Sequence, residues 1–242
     1  ALFVKDQHYA AYVRLQDSKR NFTEEFPLES YVSGPVRPYT RKGNRGFLTL
    51  DTGLNRVREM FIRKEAVGSA SEDAFPHELI TVPVDPSSGV PSETETGDID
   101  GDGKLDILTV NTKDNTFVVF SPRKNVFEET HSPSPKAVSR FKLYTGTPGK
   151  PVLFSFSRED KIFGVSRIEK GKVSFPRPMN TDGEVQFLMV TPVQEGRESL
   201  VWVEKKNRKY RVHSVPADSL VQKAYDGNKG SIDLEKVTFR FY

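Results

Sequence analysis

The feature that most constrains the fold is a strand–turn–strand unit that recurs along the chain. Each unit starts at a glycine and places two apolar segments, rich in β-branched residues, on either side of a polar turn. The units begin near Gly46, Gly103, Gly149 and Gly196, and the last three glycines are 46 and 47 residues apart. A repeat of this length, built from short strands, is typical of the blades of a β-propeller.

Further apolar segments flank the units and bring the repeat to four short strands. They lie upstream at 78–82, 138–143 and 185–190, and downstream at 126–128 and 173–175. The sequence therefore predicts an all-β fold, a β-propeller of four-stranded antiparallel blades, with about four to five blades in a single domain over residues 1–242. Residues 1–42 contribute N-terminal strands. A β-sandwich would also accommodate short strands and turns, but the near-constant period favours the propeller.

The end of the chain interrupts the pattern with one predicted helix. It covers residues 217–225, and Asp218 or Ser219 is expected to cap it. The last segment, 235–242, alternates like the upstream strands and is expected to open a further blade. This interpretation makes the chain part of something larger, in which further blades or a partner chain would cover the open sheet edge.

Composition excludes several classes of protein. The chain has no Cys, which rules out disulfides, thiolate metal sites and cysteine nucleophiles. Its formal net charge of +3 is too balanced to indicate nucleic-acid binding, and no apolar run is long enough to span a membrane. Modest hydrophobic content with abundant Phe, Tyr, Gly and Pro suits a secreted, periplasmic or cell-surface β protein.

An acidic loop precedes the strand of the second unit and predicts a cation site. Residues 97–106 read Gly-Asp-Ile-Asp-Gly-Asp-Gly-Lys-Leu-Asp. Three carboxylates recur at every second position, a fourth follows four residues later, and glycines allow the backbone to fold back. Ca²⁺ accepts six to eight oxygen ligands in a flexible shell. The expected ligands are the side chains of Asp98, Asp100, Asp102 and Asp106 and the carbonyl of Lys104. The alternative is an acidic surface turn that binds nothing.

The loop and the strand after it resemble a known family. Residues 97–108 are similar to the signature of the FG-GAP/VCBS-type repeats of integrin α-chain propellers and many exported bacterial proteins. The resemblance implies Ca²⁺ in the loop that joins the first two strands of a blade. It implies one Ca²⁺ per chain, because the units at Gly46, Gly149 and Gly196 lack the carboxylates. The function it implies is a non-catalytic, calcium-stabilised extracytoplasmic module that binds protein or glycan ligands in adhesion or complex assembly.

Catalytic motifs are not visible in the sequence. The histidines at 8, 77, 131 and 213 are scattered, and no nucleophile elbow, P-loop or zinc-protease motif occurs. An enzyme is therefore the less favoured interpretation. The alternative function is an extracellular carbohydrate-active enzyme, a polysaccharide lyase or glycosidase, or its accessory domain, with catalytic acids on separate blades. The basic segment 205–211 is interpreted as an exposed hairpin turn, with an acidic glycan or phosphate site as the alternative.

Overall fold

Short antiparallel strands make up most of the chain in the computed structural model. The structure describes residues 94–123, 126–194, 197–235 and 237–239, although only the backbone of residues 126, 192–194, 197 and 239. Before residue 94 it describes the backbone of seven strands. The chain divides into two units, Ala1–Val90 and Pro91–Tyr242, and we describe each unit by itself.

Unit 1 contains two antiparallel sheets in which sequential strands are neighbours. The first sheet consists, in spatial order, of β1 (Leu2–Lys5), β2 (His8–Val13) and β3 (Phe26–Leu28). The second consists, again in spatial order, of β4 (Arg37–Arg41), β5 (Asn44–Asp51), β6 (Arg56–Phe61) and β7 (Ile80–Pro83).

Unit 2 contains three more sheets of the same kind. The first consists of β8 (Thr94–Gly97), β9 (Asp106–Asn111), β10 (Thr116–Arg123) and β11 (Val126–Pro133). The second consists of β12 (Val138–Tyr144), β13 (Val152–Ser157), β14 (Ile162–Glu169) and β15 (Lys172–Val173), with β16 (Arg177–Pro178) also paired to β14. The third consists of β17 (Glu184–Gln194), β18 (Arg197–Lys206), β19 (Lys209–Pro216) and β20 (Val237–Phe239), and the helix α1 (Ala217–Tyr225) lies between β19 and β20 in sequence.

Two hydrophobic cores fill the spaces between the three sheets of unit 2. In the first core, Phe117 of β10 meets Phe141 of β12 edge to face, with ring centroids 6.3 Å apart. In the second, Phe163 of β14 packs on Trp202 of β18 at 5.5 Å. The middle sheet is thus covered on both faces, which explains why every residue of β13 is buried. Sequential four-stranded meanders stacked face to face confirm the predicted all-β, propeller-type fold.

Two predicted strand positions are wrong. Residues 80–83 form β7, the last strand of its sheet, and do not open the sheet that holds the acidic loop. That sheet opens with β8, whose sequence Thr-Glu-Thr-Gly has no apolar pattern to reveal it. The segment expected to open a further blade instead supplies β20, the fourth strand beside β19. The helix α1 is inserted between β19 and β20 and shifts β20 further along the sequence. The fourth strand of this sheet therefore falls at the position where the repeat period predicts the first strand of a next blade.

The helix has the predicted bounds but not the predicted cap. Pro216 occupies the N-cap position, and no side chain caps the first turn. Asp218 instead accepts hydrogen bonds from Tyr144 Oη (2.8 Å) and Thr147 Oγ1 (2.6 Å), and Ser219 donates back to the carbonyl of Pro216. Nothing in the described part of the chain is a helix long and apolar enough to cross a membrane.

Candidate metal centre

The loop between β8 and β9 folds around the carboxylate of Asp98. Gly101 and Gly103 have φ angles of 84° and 79°, a left-handed conformation that glycine adopts without a steric penalty. Their backbone N–H groups donate to Asp98, at 2.8 Å to Oδ1 and 3.1 Å to Oδ2. The spacing of glycines and aspartates in the sequence therefore encodes this turn directly.

Asp106, at the start of β9, is the buried member of the site. Its side chain is fully buried, and Oδ2 accepts hydrogen bonds from the backbone N–H groups of Ile99 (2.7 Å) and Asp100 (3.2 Å). Among the residues that the structure describes, none forms a hydrogen bond with Oδ1. Burial raises the pKa of Asp106 to about 6, and the hydroxyl of Ser121 opposes part of that rise. A buried carboxylate oxygen without a donor is a favourable position for a cation.

Three of the predicted ligands come together. One oxygen each from Asp98, Asp100 and Asp106 lies within 4.8 Å of the other two, with Asp98 and Asp100 half-buried. Oxygen ligands of this kind suit a hard divalent cation such as Ca²⁺ or Mg²⁺. The arrangement leaves a side open towards solvent, because two of its three carboxylates are partly exposed.

Asp102 is not part of this three-carboxylate cluster, and the predicted ligand of Lys104, its backbone carbonyl, stays a prediction. The ammonium of Lys104 lies 2.6 Å from Asp102 Oδ2, and this hydrogen bond is the main cause that lowers the pKa of Asp102. The same oxygen also accepts from Arg123 Nη1 at 3.0 Å. Two cationic side chains therefore already neutralise the carboxylate of Asp102.

Arg123 is the residue of the site that sequence reasoning missed. It ends β10, and its guanidinium reaches Asp100 Oδ2 through Nη2 at 2.6 Å and Glu128 Oε2 through Nε at 3.1 Å. Hydrogen bonds to these two carboxylates, Asp100 first, raise the pKa of Arg123 further. No local pattern signals this contact, because Arg123 is separated from Asp100 by 23 positions and only strand pairing brings them together.

A second cluster of ionisable groups is buried inside the last sheet. Glu204 accepts a hydrogen bond from Trp202 Nε1 (2.8 Å), and its other oxygen lies 3.5 Å from His213 Nε2. His213 stacks on the Trp202 ring and contacts Thr238 Oγ1 through Nδ1 at 3.0 Å. Glu204 and His213 are only 2% and 1% exposed, so a substrate cannot reach them. This cluster joins β18, β19 and β20, and His213 is a packed residue.

The basic segment 205–211 is the exposed hairpin turn between β18 and β19. Asn207 and Arg208 have positive φ angles of 51° and 62°, as a two-residue hairpin turn requires. Tyr210 is 60% exposed, and the ammonium of Lys205 lies 5.8 Å from the centre of its ring. The structure thus contains the exposed turn that the sequence favours.

The fold and the loop together define an all-β protein with propeller-type sheets and, among the described residues, one candidate cation site. No protein-family model matches the chain, and no curated protein shows significant sequence similarity to it. Similar folds occur in two solved structures described as putative 6-phosphogluconolactonases. The one from Bacteroides uniformis has a TM-score of 0.50 and 10% identity, covering 90% of this chain and 67% of that protein. The one from Bacteroides fragilis has a TM-score of 0.52 and 13% identity, covering 90% and 66%.

The chain therefore spans about two thirds of the length of these structures, and the likeness shows the fold. The comparisons also correct two expectations from the sequence. The resemblance to FG-GAP/VCBS repeats is wrong, because the structural neighbours carry a different description and no model of that family matches. A non-catalytic, calcium-stabilised module for adhesion or ligand binding is contradicted too, because the neighbours are named as enzymes. The physical reason is that a dozen residues suffice to build an acidic turn, whatever fold surrounds it. Calcium binding gains no support from the neighbours and rests on the residues alone.

Proposed function

We propose that this chain acts in a carbohydrate-processing enzyme that hydrolyses sugar-derived lactones, and that its β8–β9 loop binds Ca²⁺. The names of the two structural neighbours support the activity, since their folds correspond to 90% of this chain. In such a reaction water adds to the ester carbonyl carbon, the ring C–O bond breaks, and an open-chain hydroxy acid is released. The cation site rests on an observation of its own.

That observation is the buried Oδ1 of Asp106, which accepts no hydrogen bond from the described residues and belongs to a cluster with Asp98 and Asp100. The two backbone N–H groups that reach Asp106 compensate only Oδ2, and an ionised carboxylate oxygen is costly to bury without a cation or a donor of its own. Ca²⁺ fits better than Mg²⁺, because the loop offers irregular carboxylate geometry and Mg²⁺ demands a near-ideal octahedron.

The charge around the loop supports a stabilising role for the proposed cation. Five carboxylates meet there with two cationic side chains, so a doubly charged ion still leaves a net negative site. An anionic sugar lactone would be repelled from such a site. We therefore propose that the ion holds the loop and the start of β9 in place and that the lactone binds elsewhere. We propose an extracytoplasmic location as well, because the calcium concentrations found there would fill even a low-affinity site.

The activity is tested by lactone hydrolysis. We expect the purified chain to open 6-phosphogluconolactone or the uncharged gluconolactone faster than the spontaneous reaction. The rate is followed by acid release, well below the unfolding temperature, with and without chelator. Because the ion is assigned a stabilising role, chelation should leave this rate unchanged. A folded chain that accelerates neither lactone would contradict the proposed activity.

The cation site is tested by thermal unfolding. Ca²⁺ should raise the melting temperature in proportion to the logarithm of its concentration above the dissociation constant, and chelator should remove the effect. Asp106→Asn should abolish the shift. Glu159→Gln is the matched control, since Glu159 is an exposed acid whose ion pair with Lys136 spans 3.7 Å. If Ca²⁺ shifts wild type and Asp106→Asn equally, the site is elsewhere.

A further inference from the structure

We propose that Arg123 is the resident cation of the acidic loop, and that a divalent ion must displace it from Asp100. The inference deepens the proposed cation site and rests on it. Arg123 would then set both the affinity of the site and its preference for doubly charged ions.

Asp100 is shared between the three-carboxylate cluster and Arg123. Asp100 belongs to the cluster with Asp98 and Asp106, and its Oδ2 is also held by Arg123 Nη2 at 2.6 Å. The other oxygen of Asp100 accepts from the backbone N–H of Asp102 at 3.1 Å. Both oxygens are therefore engaged, and an ion that takes Asp100 as a ligand competes with an existing contact. The side chain of Arg123 would repel that ion at close range.

Arg123 can leave Asp100 at low cost. Its guanidinium also contacts Asp102 Oδ2 at 3.0 Å and Glu128 Oε2 at 3.1 Å, and neither residue belongs to the three-carboxylate cluster. These two partners remain when Asp100 turns to the ion, so no buried charge is left unpaired. The side chain is 40% exposed and has room to move.

The expected preference for divalent over monovalent ions follows from comparing the charge of the ion that enters with the charge of the guanidinium that it displaces. A sodium or potassium ion at Asp100 would replace one positive charge by another and gain little attraction. A divalent ion brings a second charge to Asp98 and Asp106 and gains more than the lost contact with Arg123. The native loop is therefore expected to respond to divalent ions and to be indifferent to monovalent ones.

Lys104 provides a matched control for the effect of charge alone. It carries the same charge as Arg123 and lies in the acidic loop itself, but its ammonium contacts Asp102, which is outside the cluster. Removing either charge lowers the general repulsion of a cation by a similar amount. Only removal of Arg123 also frees Asp100.

The experiment compares Ca²⁺ affinity in wild type, Arg123→Met and Lys104→Met by calorimetric titration. Because a single charge at contact distance is removed, we expect Arg123→Met to bind Ca²⁺ about tenfold more tightly and Lys104→Met to stay within about threefold of wild type. Replacing choline chloride by sodium chloride at equal ionic strength should weaken Ca²⁺ binding only in Arg123→Met. Arg123→Lys keeps the charge but cannot bridge three carboxylates, and it should bind with intermediate affinity.

The outcomes separate this inference from the cation site itself. Equal or weaker Ca²⁺ binding by both Arg123 variants, with wild type still binding, overturns the role of Arg123 and leaves the site standing. Equal gains in Arg123→Met and Lys104→Met also overturn it, because charge alone would then explain the effect. If neither wild type nor any variant binds Ca²⁺, the proposed cation site fails and this inference fails with it.

Discussion

Asp106 differs from the other aspartates of the loop in its burial, and burial gives it a different chemistry. The exposed Asp102 is neutralised by Lys104 and Arg123, and its pKa is lowered. Asp106 faces the protein interior, and its pKa rises from the ordinary value of 3.8 to about 6. One residue type therefore supplies both a surface ion-pair partner and a candidate ligand for an internal cation. The burial that distinguishes the second depends on how the sheet packs.

A pH series tests the state of Asp106. Because its pKa is raised in the folded protein, its contribution to stability is fully present below pH 3.8 and is lost as the pH rises through about 6. Without divalent ions, the free energy of unfolding of wild type should therefore fall relative to Asp106→Asn across this window. With saturating Ca²⁺ the ionised form is bound, so the difference should change sign and grow with pH.

Urea unfolding at several pH values, with chelator and with Ca²⁺, measures this difference. The control is Glu159→Gln, which should follow wild type under both conditions because Glu159 is exposed. A difference between wild type and Asp106→Asn that does not vary with pH in chelator would contradict the raised pKa.

At the scale of elements, α1 connects two neighbouring sheets of unit 2. Ala217, Leu220 and Val221 are buried in the core between those sheets. At the other end of the helix, the hydroxyl of Tyr225 lies 2.9 Å from the carbonyl of Pro151 and 2.8 Å from that of Ile168. The helix thus lies in sequence between two strands of the last sheet, but the hydroxyl of Tyr225 anchors it to the middle sheet.

Replacing Tyr225 by Phe tests this anchor. The substitution keeps the ring and removes the hydroxyl, which also accepts from the backbone N–H of Ile168 at 3.2 Å. We expect a loss of about 1–2 kcal/mol in the free energy of unfolding, the usual cost of partly buried hydrogen bonds. Tyr210→Phe is the control and should change it by less than about 0.5 kcal/mol, because Tyr210 is 60% exposed. Urea titration that finds equal effects would show that the hydroxyl does not anchor the helix.

At the scale of the whole molecule, the candidate cation site and the side chains around it lie in unit 2. The acidic loop, Arg123 and both hydrophobic cores fall within Pro91–Tyr242. A pair of half-buried side chains, Glu95 of β8 and Lys142 of β12, also joins two of its sheets at 2.6 Å. A unit with its own cores is expected to fold by itself.

Expression of residues 91–242 alone tests this independence. We expect a β-rich fragment that unfolds cooperatively and shows the same Ca²⁺-dependent rise in melting temperature as the whole chain, because every proposed ligand is present. Circular dichroism melting with and without chelator is the measurement. A fragment that folds but has lost the calcium response would place part of the site in unit 1.

The sequence by itself determined the features that arise from neighbouring residues. Alternating apolar segments and their period predicted the antiparallel sheets, and the helix at 217–225 was predicted with its correct bounds, although not with its cap. The glycines and aspartates of 97–106 predicted a turn that gathers carboxylates, because that turn closes through contacts within the loop. The family suggested by the same short motif was wrong, since a local turn contains no information about the fold around it.

Tertiary structure alone decided which of these carboxylates share a site. The pairing of β9 with β10 buries Asp106 and brings Arg123 against Asp100, and no pattern in the sequence reports a contact across 23 positions. The polar β8 is a strand because β9 satisfies its backbone hydrogen bonds, not because of its own apolarity. The alternating pattern of β20 predicted a strand, but only its pairing with β19 made it the fourth strand of that sheet. Periodicity in the sequence identifies the buried face of a helix or strand. Which side chains and strands contact each other depends on register and on packing between segments that are distant in sequence.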